Sequence, residues 1–551
     1  MNAPVLSIEN LSIELPQVGD RRYAVNEVSL TIDSGKTLCV VGESGSGKSV
    51  VASAVMGLLP KGLVPRSGAI RLRGESLLDA TAKRYRTIRG QEIGMVFQEP
   101  MTALNPVMTC GRQLDELLTR HTTWGWRQRR EEILKIFERV RLPHPERIYA
   151  AYPHQLSGGQ RQRIVIAAAV ILKPGLLICD EPTTALDVTT QKEILDLIAT
   201  LQAEQGSAVL FITHDMSVVA DIADEVLVLK LGSVVEYGSR GDVLRRPSQE
   251  YTRRLLAAVP SLTPPPPRPL PHAEPVLRGA GVQKIYKSRD WKGSQTAFEA
   301  LKPTTIRLQP RETLGIVGES GSGKSTLARC IIRMIDPSAG EIFWQDAEVA
   351  SAPERHLRPL RHRIQVVFQD PNRSLNPRRK VGDSIVEGSM NFGASRAEAW
   401  AAAEALMDRV QMSRDALHRY PSQFSGGQRQ RLAIARALAC KPNILVADEA
   451  VSALDVSIQA QVLELLKEIR DDMGLGLLFI THDLRVAAQL CDRVAVMHRG
   501  EIVEQGEIAK VYSNPSHEYT RKLLESAPGR IDSTGANGRN SSNGEGCYEN
   551  Q

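Results

Sequence analysis

Short runs of apolar, mostly β-branched residues recur along the chain, and each stops at a polar or glycine-rich block. Residues 37–41 (TLCVV) run into GESGSGKS, 176–179 (LLIC) into Asp180, and 209–213 (VLFIT) into His214. Runs of this kind, alternating with stretches of 3.6-residue period, predict a mostly parallel sheet covered by helices. From about 107 to 155 the pattern is helical throughout. Leu114, Leu117 and Leu118 share one face, and Ile133, Ile136 and Phe137 another, which predicts a helical subdomain inserted ahead of the LSGGQ block at 156–160. Even long apolar runs such as 164–172 fall well short of the ~18 residues that span a bilayer, so the chain is not expected to cross a membrane by itself.

The whole pattern occurs twice. GESGSGKS at 42–49 returns at 318–325, VFQEPMTALNP at 96–106 as VFQDPNRSLNP at 367–377, and LSGGQRQR at 156–163 as FSGGQRQR at 424–431. CDEP returns as ADEA, FITHD as itself, and PSQEYTRRLLAAVP at 247–260 as PSHEYTRKLLESAP at 515–528. Near-constant spacing over so many blocks means duplication of a domain of roughly 255 residues, a repeat of the kind best sought before any other feature. The predicted division is 1–260 and 276–528 for the two domains. Between them 261–275 (SLTPPPPRPLPHAEP) reads as a semi-rigid, extended proline linker, and 529–551, rich in Gly, Ser and Asn, reads as a disordered tail.

Composition narrows the class. At 551 residues, 42 % apolar and 24 % charged, the chain has room for at least two globular cores. A net charge of +6 is too small to indicate nucleic acid, and the beginning MNAP carries no export signal, so a cytosolic location is expected. Seven scattered cysteines form no CxxC pair, which suggests buried apolar residues rather than zinc ligands or disulfides. The basic runs at 127–130, 358–363 and 378–380 read as solvated surface, with contact to membrane-protein loops or lipid headgroups as the alternative.

Each GxxxxGKS block following a strand predicts a phosphate-binding loop. Gly42, Gly45 and Gly47, with Gly318, Gly321 and Gly323, let backbone amides converge on phosphates; Lys48 and Lys324 reach the β/γ oxygens; Ser49 and Ser325 ligate Mg²⁺. Asp180–Glu181 and Asp448–Glu449 each end an apolar strand. Because strand side chains alternate faces, Asp180 and Asp448 are suited to hold Mg²⁺ through its water shell, while Glu181 and Glu449 polarise an attacking water. Ser157, Gly158, Gly159 and Gln160, like Ser425, Gly426, Gly427 and Gln428, open a helix whose exposed amides attract an anion. Such a block is placed to cap a γ-phosphate held by the other domain. His214 and His482 alone would suit a packing role; with the full set present they are assigned to the γ-phosphate.

Together these blocks resemble the double nucleotide-binding subunit of an ATP-binding cassette (ABC) importer over nearly all of residues 5–528. ALNP and SLNP after the glutamines, the ALDV turns at 185–188 and 453–456, and the EYTRRLL and EYTRKLL ends resemble the peptide/nickel importer family, in the fused form seen in oligopeptide (microcin C-type) transporters. The resemblance implies an α/β fold of tandem P-loop NTPase domains, each a RecA-like core with an inserted helical subdomain. It implies ATP and Mg²⁺ as ligands, and makes Gln98 and Gln369 metal- and γ-phosphate-sensing residues that also face membrane subunits. Asp187 and Asp455 become the turns that communicate between halves, and Tyr286 the aromatic that stacks on adenine. In the first half Leu15 stands at the matching place, with Tyr23 as a substitute there and Phe298 in the second half. The implied partners are two transmembrane permease subunits and an extracytoplasmic substrate-binding protein, with the chain peripheral on the cytoplasmic face of the inner (plasma) membrane. No nucleic acid is expected. No iron–sulfur cluster is expected either, because the first half ends without cysteines and the second offers only Cys547. The cargo implied is an oligopeptide or similar molecule, with nickel, glutathione and peptide antibiotics open. A soluble tandem ABC ATPase acting on ribosomes or DNA is the competing reading; the short proline spacer and lack of CxxC weigh against it.

Overall fold

The structure, a computed structural model, describes all residues except 1–2, 17–20, 185, 272, 290–294, 453 and 528–551. The proposed tail lies outside the described residues. Each half is built on a six-stranded sheet. In the first half the strand order is Ser233–Ser239, Glu225–Lys230, Thr37–Val41, Ala208–Thr213, Leu176–Asp180, Ile93–Val96, parallel except for the edge strand Ser233–Ser239. The second half repeats it around the central strand Thr313–Val317.

The period-2 rule shows why the strands had to be so apolar. Leu38 and Val40 point into one core layer, with the helix Lys48–Val55; Cys39 and Val41 point into the other, with the helices Gly158–Val170 and Val188–Gln205. A parallel sheet covered on both faces leaves no strand side for water.

Each half also carries a second, antiparallel sheet that no local sequence pattern announces. Strands Tyr23–Ile32, Leu6–Glu14, Val64–Leu72 and Glu75–Ser76 pair in that order, and Gln295–Leu308, Leu277–Arg289, Ala339–Trp344 and Ala347–Glu348 match them. It closes the core over the phosphate-loop helix. The expected helical subdomain is present as helices Cys110–His121, Trp126–Arg139 and Pro145–Ala150.

The basic runs are largely ion-paired at the surface: Arg129 with Asp115, Arg130 with Glu146, Arg361 with Glu354, Arg363 with Asp346 and Arg379 with Glu387. Five of the six described cysteines are buried.

The halves face each other head to tail. Val188 of the first half packs into an apolar cluster otherwise formed by the second, and Lys192 Nζ donates to the Glu525 carbonyl at 3.3 Å. The described residues of 261–275 carry no regular structure and run along the second half. Leu262 packs on its core, Gln489 donates to the Ser261 and Thr263 carbonyls, and Arg268 pairs with Asp492 and Asp471.

Candidate active site

Both glycine loops are folded around their own lysines. Lys48 Nζ donates to the Gly42 and Glu43 carbonyls at 2.7 and 2.9 Å, and Lys324 Nζ to those of Gly318 and Glu319 at 2.7 and 2.8 Å. Burial lowers the pKa of both amines, against the raising effect of Glu181 and Glu449. Glycine at 42 and 318 is a steric requirement, since a Cβ there would lie 2.2 Å from the Leu229 or Met497 carbonyl oxygen of the adjoining strand.

The two carboxylates of each pair face different partners, Asp180 and Asp448 from the last strand residue and Glu181 and Glu449 from the turn just past it. Asp180 accepts from the Ser49 hydroxyl at 3.0 Å, and burial raises its pKa to about 6; Asp448 is likewise raised, and its Oδ1 is buried without a hydrogen-bond partner. Glu181 and Glu449 have φ of 46° and 50°, a left-handed backbone that a glutamate adopts only under constraint. The constraint is visible: their N–H groups donate to the Ile212 and Ile480 carbonyls at 2.9 Å. Gln98 Nε2 donates to Glu181 at 2.9 Å and Gln369 Nε2 to Glu449 at 2.8 Å, while His214 Nδ1 and His482 Nδ1 lie 3.2 and 3.4 Å from the same carboxylates. Burial alone would raise both glutamates, but their histidines and the loop lysines hold them below the usual carboxylate range. Burial alone would lower the histidines; Glu181 with Asp215 and Asp455, and Glu449 with Asp483, raise them instead.

The LSGGQ-type blocks begin helices as expected. Ser157 and Ser425 accept from the Gln160 and Gln428 amides at 3.3 Å, and the glutamine side chains return the bond to the serine amides, completing capping boxes. Gly427 abuts Ile458 closely enough that a Cβ would lie 2.3 Å from it, so this helix start is locked to the turn at Asp455. That turn crosses the interface: the Ser44 N–H of the first loop donates to Asp455 Oδ1 at 3.0 Å. Among the described residues it is Asp455 that hydrogen-bonds the opposing glycine loop. The mirror turn behaves otherwise. Asp187 accepts from Thr190 N–H and caps its own helix, and only its charge reaches Lys324.

Between the two histidine-bearing strand ends lies a residue that the sequence reading missed. Arg485, nearly buried, pairs with Asp483 in its own half at 3.4 Å and with Asp215 across the interface at 3.2 Å, and also donates to the Ser217 hydroxyl. Burial would raise Asp215, yet Arg485 and Ser217 bring it to about 2. Arg485, Asp483 and Asp215 line a cavity of about 100 Å³ shared by Thr184, His214, Ser452 and His482. The signal was available, because Arg485 occupies the position that Ser217 holds in the first copy.

Tyr286 is 42 % exposed and stands opposite Phe298, which is 68 % exposed, in the antiparallel sheet. Phe298 lies two residues from Ala300, whose carbonyl approaches Gly323 of the loop. In the first half Tyr23 adjoins Ala24, which meets Gly47 in the same way, and Arg21 donates to the Gly45 carbonyl at 2.7 Å. Leu15 is half-buried beside the Arg22 carbonyl, to which it donates.

Comparison with known proteins finds similar sequences along nearly the whole chain. A family model described as ABC transporter matches residues 25–184 and again 301–452, and one described as oligopeptide/dipeptide transporter, C-terminal region, matches 235–284 and 503–547. The glutathione import ATP-binding protein GsiA of Salmonella paratyphi A (strain ATCC 9150 / SARB42) is 43 % identical over 557 residues, covering 95 % of this chain and 89 % of that protein. The protein of the same name from Escherichia coli (strain K12) has the same identity and coverage. A solved dimeric ATP-binding cassette bound to ADP and Pi is 28 % identical, covers 42 % of this chain and 98 % of its own, and superposes with a TM-score of 0.39.

Proposed function

The chain belongs to the ABC transporter family, with the C-terminal region of its oligopeptide/dipeptide branch in both halves, and from that premise we propose that it hydrolyses ATP at two composite sites to drive import of a peptide-like molecule. The observation that carries this reading is the recurrence, in both halves, of one lysine, aspartate, glutamate, glutamine and histidine around a glycine loop that faces the other half. The working division is 1–260 and 276–528 for the two ATPase domains, 261–275 for the linker and 529–551 for the tail.

Site one comprises Lys48, Ser49, Gln98, Asp180, Glu181 and His214, completed by Ser425 to Gln428 and Asp455. Site two comprises Lys324, Ser325, Gln369, Asp448, Glu449 and His482, completed by Ser157 to Gln160 and Asp187. Lys48 and Lys324 exchange backbone carbonyls for β/γ-phosphate oxygens. Glu181 and Glu449, kept ionised by their histidines, accept the proton of the attacking water, and His214 and His482 donate to the γ-phosphate. The buried, unpartnered Asp448 Oδ1 and the Ser49–Asp180 pair fit Mg²⁺, which when bound would neutralise phosphate charge.

No helix among the described residues is long and apolar enough to cross a membrane, so transport needs separate membrane-spanning partners. We place two permeases near the Gln98 and Gln369 loops, where Phe97, Val107 and Phe368 are exposed, with an extracytoplasmic substrate-binding protein completing the complex and this chain peripheral on the cytoplasmic face of the plasma membrane. The relatives' name favours glutathione among the cargoes, with short peptides next.

The test is reconstitution of the full chain with its two permeases and binding protein in proteoliposomes. ATP-dependent uptake of labelled glutathione or short peptides is expected. Substitutions within 103–106 or 374–377 should lower uptake more than basal ATPase. Permeases that neither bind nor stimulate the chain, with co-purification on ribosomes or DNA instead, would overturn the reading.

A further inference from the structure

One repeated block is left unused by the hydrolytic chemistry: EYTRRLL at 250–256 and EYTRKLL at 518–524. Each forms a helix near the end of its half, Glu250–Ala257 and Glu518–Glu525. The helices are firmly seated. Thr252 and Thr520 are fully buried, and Glu236 and Glu504 accept from the amides and hydroxyls of Ser248 and Ser516 just ahead of them.

From that seat the tyrosine of each block touches a glycine loop. Glu43 N–H donates to Tyr251 Oη at 3.5 Å, and Glu319 N–H to Tyr519 Oη at 3.2 Å. The rings are held in turn by the residue that follows the carbonyl pressed on the loop's first glycine. Lys230 Nζ lies 4.8 Å from the Tyr251 ring centre, and His498 stacks on Tyr519 at 4.0 Å and 20°.

The Gly42–Glu43 peptide is thus gripped at both ends, its C=O by Lys48 Nζ at 2.7 Å and its N–H by Tyr251; Gly318–Glu319 is gripped in the same way by Lys324 and Tyr519. Glycine at 42 and 318 leaves this peptide free to rotate, so the two bonds orient it. We infer that Tyr251 and Tyr519 are positioning residues of the two phosphate loops, and that through them the oligopeptide-type C-terminal segments set the affinity for ATP. A lysine that moves to phosphate releases the carbonyl, and the tyrosine is then the side chain that keeps the peptide from turning. A phenol suits the task. Burial pushes both hydroxyls to about 12, so they stay neutral and bring no negative charge beside a triphosphate.

The inference rests on the reading that these loops bind ATP, and calorimetric titration of the full chain with a non-hydrolysable ATP analogue separates the two. Tyr251→Phe should weaken one of two sites about 3- to 10-fold and leave the other, and Tyr519→Phe the converse, with unchanged thermal unfolding. If the phenylalanine variants bind as wild type and only Tyr251→Leu loses affinity, the ring merely packs and the inference falls. Lys48→Ala should abolish one site; if it leaves both intact, the ATP-site reading itself is what fails.

Discussion

Two copies of one domain share this chain, and they meet the interface differently. Glu181 receives a hydrogen bond from the Thr184 hydroxyl at 3.0 Å, whereas the matching Ser452 hydroxyl turns to the Glu449 backbone carbonyl. Asp455 reaches across to Ser44, whereas Asp187 stays home and caps its helix. Arg485 bridges the halves from a position where the first copy has Ser217, and it is Ser217 and Asp215 that receive it. The lesson concerns fusion: in a dimer of identical subunits a change at one interface appears twice, while in a single chain each copy can specialise against the other.

The sharpest way to break that asymmetry is Arg485→Ser, which restores the first half's residue. It strands Asp215 among buried groups and should cost about 3–5 kcal/mol in urea unfolding. The acid limb moves as well. Asp215 is held at about 2 when folded, so its contribution is present above the ordinary carboxylate value near 3.9 and is lost as pH falls toward about 2. Without Arg485 that protection falls to what the Ser217 bonds supply, and unfolding should begin at higher pH, as followed by circular dichroism.

Next in size, Glu181→Gln and Glu449→Gln should each reduce turnover at their own site on the order of 10²-fold while nucleotide binding survives. The Thr184 contact and the Pro182–Thr183 versus Ala450–Val451 difference lead us to expect unequal single variants in steady-state phosphate release. Unchanged hydrolysis in the double variant would remove both glutamates from the mechanism.

Tyr286→Ala should weaken nucleotide binding at the second site about 5- to 100-fold, the worth of base–aromatic stacking, and leave the first site alone. Equal affinities in a two-site titration would assign the base to another ring, with Phe298 next in line. The smallest effect is expected from Arg268→Ala. Losing its pairing with Asp492 and Asp471 should cost about 1 kcal/mol and speed protease cleavage in the proline segment, because these bonds fasten that segment to the second half.

What was legible in the sequence is what is local in the chain. A phosphate loop, a strand ending in Asp–Glu and a capping box are each complete within a few residues, so their chemistry shows without coordinates. The antiparallel sheets were not, since Leu6–Glu14 pairs with Val64–Leu72 across the entire loop and helix between them. The left-handed backbone of Glu181 and Glu449 left no trace in composition, because the bond that enforces it comes from a neighbouring strand. Arg485 was visible as a departure of one copy from the other, but its partner depends on how the halves face, which no spacing encodes. Asp187 and Asp455 are the clearest case: identical ALDV turns, one bonded across the interface and one to itself.

The seating of the linker limits how the two halves can part. Gln489 of the second half grips Ser261, and the first half's final helix ends at Ala257 with its cap at Ala258. Only Val259 and Pro260 lie between that cap and Ser261, a span of at most roughly 11 Å. Along that edge the halves cannot draw far apart, so opening becomes rotation about a fixed margin, wide at the far side and narrow here, like a book turning on its spine.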